Sequence, residues 1–221
     1  MSKHLETELD NLKAKLNSLT TLIEDTVSKA LVSVDTKNKE LAKEVVAIDN
    51  QIDLKEVEIE EDCLKILALH QPVAIDLRYI VGVLKVNNDL ERIGDLAVNI
   101  AERALYIRKN KDVTAPLDFS EMSKKVFSML KRSIQALIEM DAEVARQICL
   151  DDEEIDEINR NNYQTVYDAI KNDPENVQAL FPYISVSKCL ERIADYTTNI
   201  AEDVIYMVDG TIVRHSPEIY E

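Results

Sequence analysis

Residues that form turns are scarce in this sequence. Its 221 residues include three glycines and five prolines, and tryptophan is absent. With 31% charged residues, such a composition favours long helices over sheets. The hydrophobic content of 46% is enough for one large core or two small ones. Because no run of about 18 apolar residues occurs, we expect no helix that inserts into a membrane.

Cysteine and histidine are also rare, with three residues of each type. The cysteines, Cys63, Cys149 and Cys189, are widely separated and never form a Cys-x-x-Cys pair, so neither a disulfide framework nor a zinc knuckle is indicated. The first six residues lack the apolar segment of a signal peptide. We therefore expect a protein of the reducing cytoplasm.

The charge is strongly negative, with a formal net value of -16 at pH 7. Nucleic acid is not an expected partner, since its phosphates would be repelled. Electrostatic binding to anionic lipid is disfavoured for the same reason. Basic protein surfaces and cations are the partners that this charge favours.

Apolar residues recur at steps of three and four along almost the whole chain, which predicts an all-α fold. We predict six helices, over residues about 4–35, 38–69, 73–109, 120–140, 142–171 and 174–209. Pro72 should end the second helix, and His70 is interpreted as a residue of that helix end. Ser120 is predicted as the N-cap of the fourth helix, and Gly210 as the C-terminal cap of the sixth.

One segment of the sequence occurs twice. Leu90–Glu102 returns as Leu190–Glu202, with nine of thirteen positions identical. A long internal period indicates a structural unit used twice, so we predict two similar three-helix bundles. The predicted divisions are residues 1–111 and 112–210, followed by a loose tail over 211–221. We expect Gly94 and Ala194 to let neighbouring helices approach closely.

Carboxylates four residues apart are the chief feature of the repeat. The four pairs are Glu91 with Asp95, Glu191 with Asp195, Asp49 with Asp53, and Asp152 with Asp156. Like charges at this spacing destabilise a helix by about 0.2–0.5 kcal/mol per pair. A bound multivalent cation would remove the repulsion, and all-oxygen ligands suit Mg²⁺, Ca²⁺, Mn²⁺ or iron better than zinc.

The acidic residues of the third helix lie on one face. At 100° per residue, Glu91, Asp95, Asn99 and Glu102 fall within a stripe roughly 80° wide. The apolar residues of the same segment gather on the opposite side. We therefore expect the acidic stripe to point away from the core.

Two segments resemble the paired E/D-x-x-x-D signatures of the PhoU family, Glu91–Asp95 and Glu191–Asp195. Each is followed by Asn-Ile-Ala-Glu. His70–Arg78 is similar to the family's entry into the third helix, and residues 205–215 are similar to its C-terminal end. The resemblance covers nearly the whole chain. In the second copy, Asn176–Gln178 stands where the first copy has Asp-Leu-Arg.

The resemblance implies a six-helix protein made of two similar bundles, often as a homodimer. It implies a regulator without enzymatic activity that represses the phosphate-starvation response. Its partners would be the ATP-binding subunit of the phosphate ABC transporter and the phosphate sensor histidine kinase.

The resemblance also implies metal ions, Fe, Mn, Mg or Zn, held by surface carboxylates. Carried over residue by residue, the ligands of the third and sixth helices are Glu91, Asp95, Asn99, Glu102, Glu191, Asp195, Asn199 and Glu202. Asp49, Asp53, Asp152 and Asp156 would complete the two sites.

Two other interpretations fit a helical, carboxylate-rich chain. A ferritin-like di-iron enzyme needs Glu-x-x-His pairs that face the bundle interior. No histidine of this sequence has a glutamate three residues before it, so this class is disfavoured. A metal-free helical adaptor, whose acidic faces bind basic protein partners, stays open as the alternative.

Overall fold

Six long helices make up the protein in this computed structural model, which describes residues 3–109 and 116–213. They are α1 (Lys3–Asp35), α2 (Lys39–His70), α3 (Ala74–Lys109), α4 (Ser120–Glu139), α5 (Ala142–Asn172) and α6 (Val177–Asp209). A single 3₁₀ turn, Pro174–Asn176, precedes α6, and the described residues contain no strand. The predicted all-α fold is confirmed, and each predicted boundary lies within a few residues of the observed one.

Specific hydrogen bonds define the caps of three helices. Asn38 and Asp141 cap α2 and α5, because each side chain accepts two backbone N–H groups of the first turn. Gly210 ends α6 with φ of +76°, as predicted, and donates its N–H to the carbonyl of Tyr206. The guanidinium of Arg78 packs beside Gly210, where a cation is favoured by the helix dipole.

The predicted N-cap of α4 was wrong by one residue. Ser120 is the first residue of the helix, and Phe119 occupies the cap position without a capping side chain. The carboxylate of Asp118 accepts instead from the backbone N–H and the hydroxyl of Ser120. Asp118 thus accepts from a backbone N–H of the first helical turn although it lies two residues before the helix. The sequence spacing could not decide whether Ser120 or Asp118 supplies the accepting side chain.

The helices form two groups of three, joined through the third member of each. Helices α1, α2 and α3 pack on one another, as do α4, α5 and α6. Helix α3 packs extensively on α6, and α1 also touches α4. Apolar side chains from all six helices form one continuous core. The two groups therefore share one hydrophobic interior.

The predicted division between residues 111 and 112 and most of the predicted tail lie outside the described residues, and of the tail only residues 211–213 are described. Thr211 and Ile212 are exposed, whereas Val213 is buried against the core. Within the described part of the chain, no helix is both long and apolar enough to cross a membrane.

Two glycines mark the closest helix contacts. A Cβ at Gly82 of α3 would overlap Cγ and Sδ of Met207 on α6. A Cβ at Gly94 would lie 2.9 Å from Cδ1 of Ile52 on α2. Gly94 thus has the role predicted for it, and Gly82 has the corresponding role between the two bundles.

We predict that Gly82→Ala destabilises the protein more than Gly94→Ala does. Alanine adds up to about 1 kcal/mol of helix propensity at either position. At Gly82 the overlap involves the middle of a buried methionine and should cost about 1–3 kcal/mol, which exceeds that gain. At Gly94 the overlap is smaller, with 2.9 Å to Cδ1 of Ile52, 3.2 Å to its Cγ2 and 3.3 Å to Cδ1 of Ile23, so the neighbouring side chains must shift less. Urea denaturation of both variants measures the difference, and equal free energies of unfolding would contradict the proposed close contact.

Candidate functional site

The acidic stripe of α3 lies beside α2, and that of α6 lies beside α5. Glu91 and Asp95 are half-buried, whereas Asn99 and Glu102 are exposed. In the second half Glu191 is buried, with 9% of its surface exposed. The stripe of α3 therefore faces solvent at Asn99 and Glu102, as expected, and is half-buried at Glu91 and Asp95. Helices α2 and α5 bring their own carboxylates beside each stripe, and we call the junction of α2 with α3 the N-terminal groove and that of α5 with α6 the C-terminal groove.

The N-terminal groove brings the predicted carboxylates of α2 and α3 together. Burial raises the pKa of Asp49, and the charges of Asp53, Asp95 and Glu102 raise it further. Burial likewise raises the pKa of Glu91, with added repulsion from Asp95 and Asp53. Oε2 of Glu91 is buried and accepts no hydrogen bond. Carboxylates that belong to separate helices thus act as one electrostatic group.

The C-terminal groove is the more strongly perturbed. Burial raises the pKa of Asp152 to about 7, with contributions from the charges of Asp195, Asp156 and Glu191. The pKa of Asp195 is also raised, first by burial and then by Glu191. Oδ1 of Asp152 is buried and accepts no hydrogen bond. A carboxyl group in this position titrates near neutral pH.

The cations beside the two grooves differ. In the first, Arg92 lies 3.4 Å from Oε2 of Glu91 and 3.3 Å from Oδ2 of Asp95. In the second, Arg192 donates instead to the hydroxyl of Tyr196 and stacks on its ring. The first groove has Leu96 at the corresponding position, which offers no such partner.

Lys188 supplies the second groove with its own cation. Its ammonium lies 2.5 and 2.7 Å from the two carboxylate oxygens of Glu191. The residue at the matching position of the first half is Asn88, which carries no charge. One carboxylate of the second groove is therefore already neutralised by the chain itself.

The structure does not bring every predicted ligand into a groove. Asn99 donates its amide to the carbonyl of Asp95 in its own helix. Asn199 and Glu202 follow Asp195 on the same face of α6 by helix register. Sequence reasoning overlooked Glu56, whose pKa is raised by burial, Glu60 and Asp53. Glu56 lies three residues after Asp53 and therefore on the same face of α2, and this spacing could have identified it from the sequence.

In neither groove do three described carboxylates place their oxygen atoms within 4.8 Å of one another. Among the described residues, one group of three histidine or acidic side chains places its ligand atoms within 4.8 Å of one another, and it consists of His4, Glu8 and His70. That group belongs to α1 and α2 and lies outside both grooves. The carboxylates of the grooves would have to rotate inward to share one ion.

Comparison with known proteins places this arrangement in a family. A family model described as "PhoU domain" matches residues 16–104 and again 119–204, so each match contains one acidic groove. The chain belongs to the PhoU family. The duplication seen in the sequence is thus two copies of the PhoU domain.

Similar proteins cover nearly the whole chain. The Aquifex aeolicus protein named phosphate-specific transport system accessory protein PhoU homolog is 36% identical, over 94% of this chain and 94% of its own. The Thermotoga maritima protein named phosphate-specific transport system accessory protein PhoU homolog 1 is 33% identical, over 94% of this chain and 90% of its own. The crystal structure of PhoU from Pseudomonas aeruginosa has a TM-score of 0.88 at 32% identity, covering 93% of this chain and 99% of that one. The crystal structure of the phosphate transport system regulatory protein PhoU from Streptococcus pneumoniae has a TM-score of 0.83 at 30% identity, covering 95% of this chain and 99% of that one.

We predict that Asp152→Asn increases stability at pH 8 in the presence of a chelator. Burial and the neighbouring carboxylates raise the native pKa of Asp152 from its ordinary value of 3.8 to about 7. A group with a raised native pKa stabilises the fold fully below pH 4 and loses that contribution as the pH rises through 7. The variant lacks this dependence, so its advantage over the native protein should shrink between pH 8 and pH 5. Thermal melts across this pH range measure it.

Glu153→Gln is the matched control for this prediction. It removes one carboxylate from the same helix at a position that is 80% exposed and paired with Arg160. Its effect on stability should vary little between pH 5 and pH 8. An equal pH dependence in both variants would mean that total charge, and not the site of Asp152, sets the effect.

Proposed function

We propose that this protein is a non-enzymatic accessory regulator of phosphate transport. The observation that supports this most directly is the match of the PhoU domain to both halves of the chain, with relatives named for that role. In this proposal the protein acts in the cytoplasm and represses the phosphate-starvation response. Its partners are the ATP-binding subunit of the phosphate ABC transporter and the phosphate sensor histidine kinase.

The first turn of α3 and the end of α2 offer a surface for such a partner. Four large apolar side chains are exposed there, and they are Leu69, Val73, Ile75 and Leu77. Their exposed fractions run from 40% to 74%. Exposed apolar clusters of this kind are typical of protein contacts. We propose this turn as a contact surface, either for a partner or for the second subunit of a homodimer.

Metal binding in the grooves is the second part of the proposal. The proposed donors are all oxygen atoms, most of them from carboxylates, which suits hard cations such as Mg²⁺, Mn²⁺ or iron. Two buried oxygens, Oδ1 of Asp152 and Oε2 of Glu91, accept no hydrogen bond and so are suited to an ion. A bound cation would offset the mutual repulsion of the carboxylates from two helices.

One observation supports the alternative, a metal-free adaptor. Arg92 and Lys188 already lie against carboxylates of the two grooves. Side chains that pair with cations of the chain itself could equally pair with basic residues of a partner. In that case the grooves would serve as binding surfaces for basic proteins.

Deleting the gene in its host should leave phosphate-starvation genes expressed in phosphate-rich medium. The proposed repressor would then be absent at the time when it normally acts. Transcript levels in the deletion strain, and in the same strain complemented with the intact gene, measure this effect. Unchanged expression in the deletion strain would exclude the proposed role.

We predict that Glu91→Gln with Asp95→Asn changes stability in opposite directions with and without metal. Without metal, removing one repulsive pair should stabilise the protein by about 0.2–0.5 kcal/mol. With metal at about a hundredfold excess over its Kd, the same change loses a binding contribution of about 2.7 kcal/mol. Thermal melts with and without Mn²⁺, Fe²⁺ or Mg²⁺ separate the two cases. A variant as stable as the native protein under every metal condition would favour the adaptor.

Substitutions beside the acidic pairs provide the controls. Lys188→Asn should tighten metal binding in the C-terminal groove by on the order of tenfold, because it removes a competing charge. Asn88→Lys should weaken binding in the N-terminal groove by a similar factor. Neither change replaces a proposed ligand, so an effect of opposite sign would contradict metal binding at these carboxylates.

A further inference from the structure

The two ends of the α1–α2 hairpin meet at a group of side chains outside both grooves. The helices have nearly equal lengths, 33 and 32 residues, and run antiparallel through a short turn. The beginning of α1 therefore lies beside the end of α2. His4 and Glu8 share one face of α1 because they are four residues apart. His70 is the last residue of α2 and reaches the same point.

These three side chains are already in contact. Nε2 of His70 lies 2.9 Å from Oε2 of Glu8, and Nε2 of His4 lies 3.7 Å from Oε1 of the same carboxylate. The two imidazole rings meet edge to face, with centroids 5.5 Å apart. His70 and Glu8 are mostly buried, each with 14% of its side chain exposed, whereas His4 is 77% exposed. Burial therefore holds His70 and Glu8 in place, whereas the exposed side chain of His4 can move.

The geometry is near that of a small tetrahedral metal site. Zinc bonds of about 2.0–2.1 Å place neighbouring tetrahedral ligands about 3.3–3.5 Å apart. One ligand atom from each of the three residues lies within 4.8 Å of the others. The widest pair would have to close by at most about 1.5 Å, which the exposed His4 can provide by a change of rotamer.

The end of α2 favours a cation beside His70, whereas the charge of Lys65 opposes one beside Glu8. The carbonyl groups at the end of α2 carry partial negative charge beside His70. Against this, the ammonium of Lys65 lies 3.4 Å from Oε1 of Glu8. The side chain of Lys65 is 57% exposed, so it can turn into solvent when another cation replaces it.

We propose that His4, Glu8 and His70 bind a transition-metal ion of the zinc type, which joins the first turn of α1 to the last turn of α2. Two imidazoles and one carboxylate are a donor set that zinc, cobalt and nickel accept. Mg²⁺ and Ca²⁺ prefer oxygen ligands and would not compete well here. A fourth position is left for water. The protein would thus hold a nitrogen-rich site distinct in chemistry from its two carboxylate grooves.

The role of this site follows from its position. The beginning of α1 is joined to α2 by side chains alone, because the connecting turn is at the other end of the hairpin. An ion held by both helices would fix that open end. Zinc binding should therefore stabilise the N-terminal bundle without altering the grooves.

Zinc titration of the full-length protein tests the proposal. The protein should carry no affinity tag and should be stripped with a chelator that is then removed. Calorimetry with excess Mg²⁺ present, which occupies oxygen sites, should show one zinc equivalent bound. Cobalt should give the intense visible bands of a four-coordinate ion with nitrogen ligands. Zinc should raise the melting temperature.

Three single variants decide which residues bind the ion. His4→Gln and His70→Gln should each lose the zinc equivalent, the cobalt bands and the rise in melting temperature. His215→Gln removes the third histidine of the sequence and should behave as the native protein does. The binding should also persist when Glu91, Asp95, Glu191 and Asp195 are changed to their amides. Absence of the zinc equivalent in the native protein, or its retention in either His4→Gln or His70→Gln, would overturn the proposal.

Discussion

The close packing of α3 on α6 constrains the rest of the molecule. Each of these helices must bury one face against its own bundle and another against the opposite long helix. Gly82 opposite Met207 permits the approach, since a larger residue would hold the helices apart. Little of either helix is then left to face solvent. The acidic stripe occupies that remaining face, and α2 or α5 lies along its edge.

Charge crowding in the grooves is the consequence of this packing. A solvated helix relieves repulsion between carboxylates through water, but Glu91 and Glu191 have lost much of that water. Burial and neighbouring acids both act to raise the pKa values of Asp49, Asp152 and Asp195. Strongly perturbed carboxylates in a groove are more typical of binding sites than of surfaces selected for stability alone. The fold thus holds together charges that would separate in an unfolded chain.

Sequence periodicity was sufficient for the helices, because their spacing and caps are local properties. The repeat at Leu90 and Leu190 was likewise enough to predict two similar bundles. Periodicity gives the angle of a face but not how far a neighbouring helix covers it, so the burial of Glu191 could not be predicted. The contact of His70 with Glu8 depends on helices of matched length returning to one point, which required boundaries more accurate than a pattern gives.

The two halves share a backbone but not an electrostatic environment. Leucine at position 96 and tyrosine at 196 decide whether the neighbouring arginine faces the carboxylates or stacks on a ring. Lysine at position 188 adds a positive charge at Glu191, while the charge of Arg192 still lowers the pKa of Asp195. A duplicated fold can therefore keep both grooves while giving them different affinities for cations or for basic side chains. On the proposed binding of cations or basic side chains, two grooves with unequal charge would have unequal affinities, and two unequal sites fill over a wider range of ligand concentration than two equal ones.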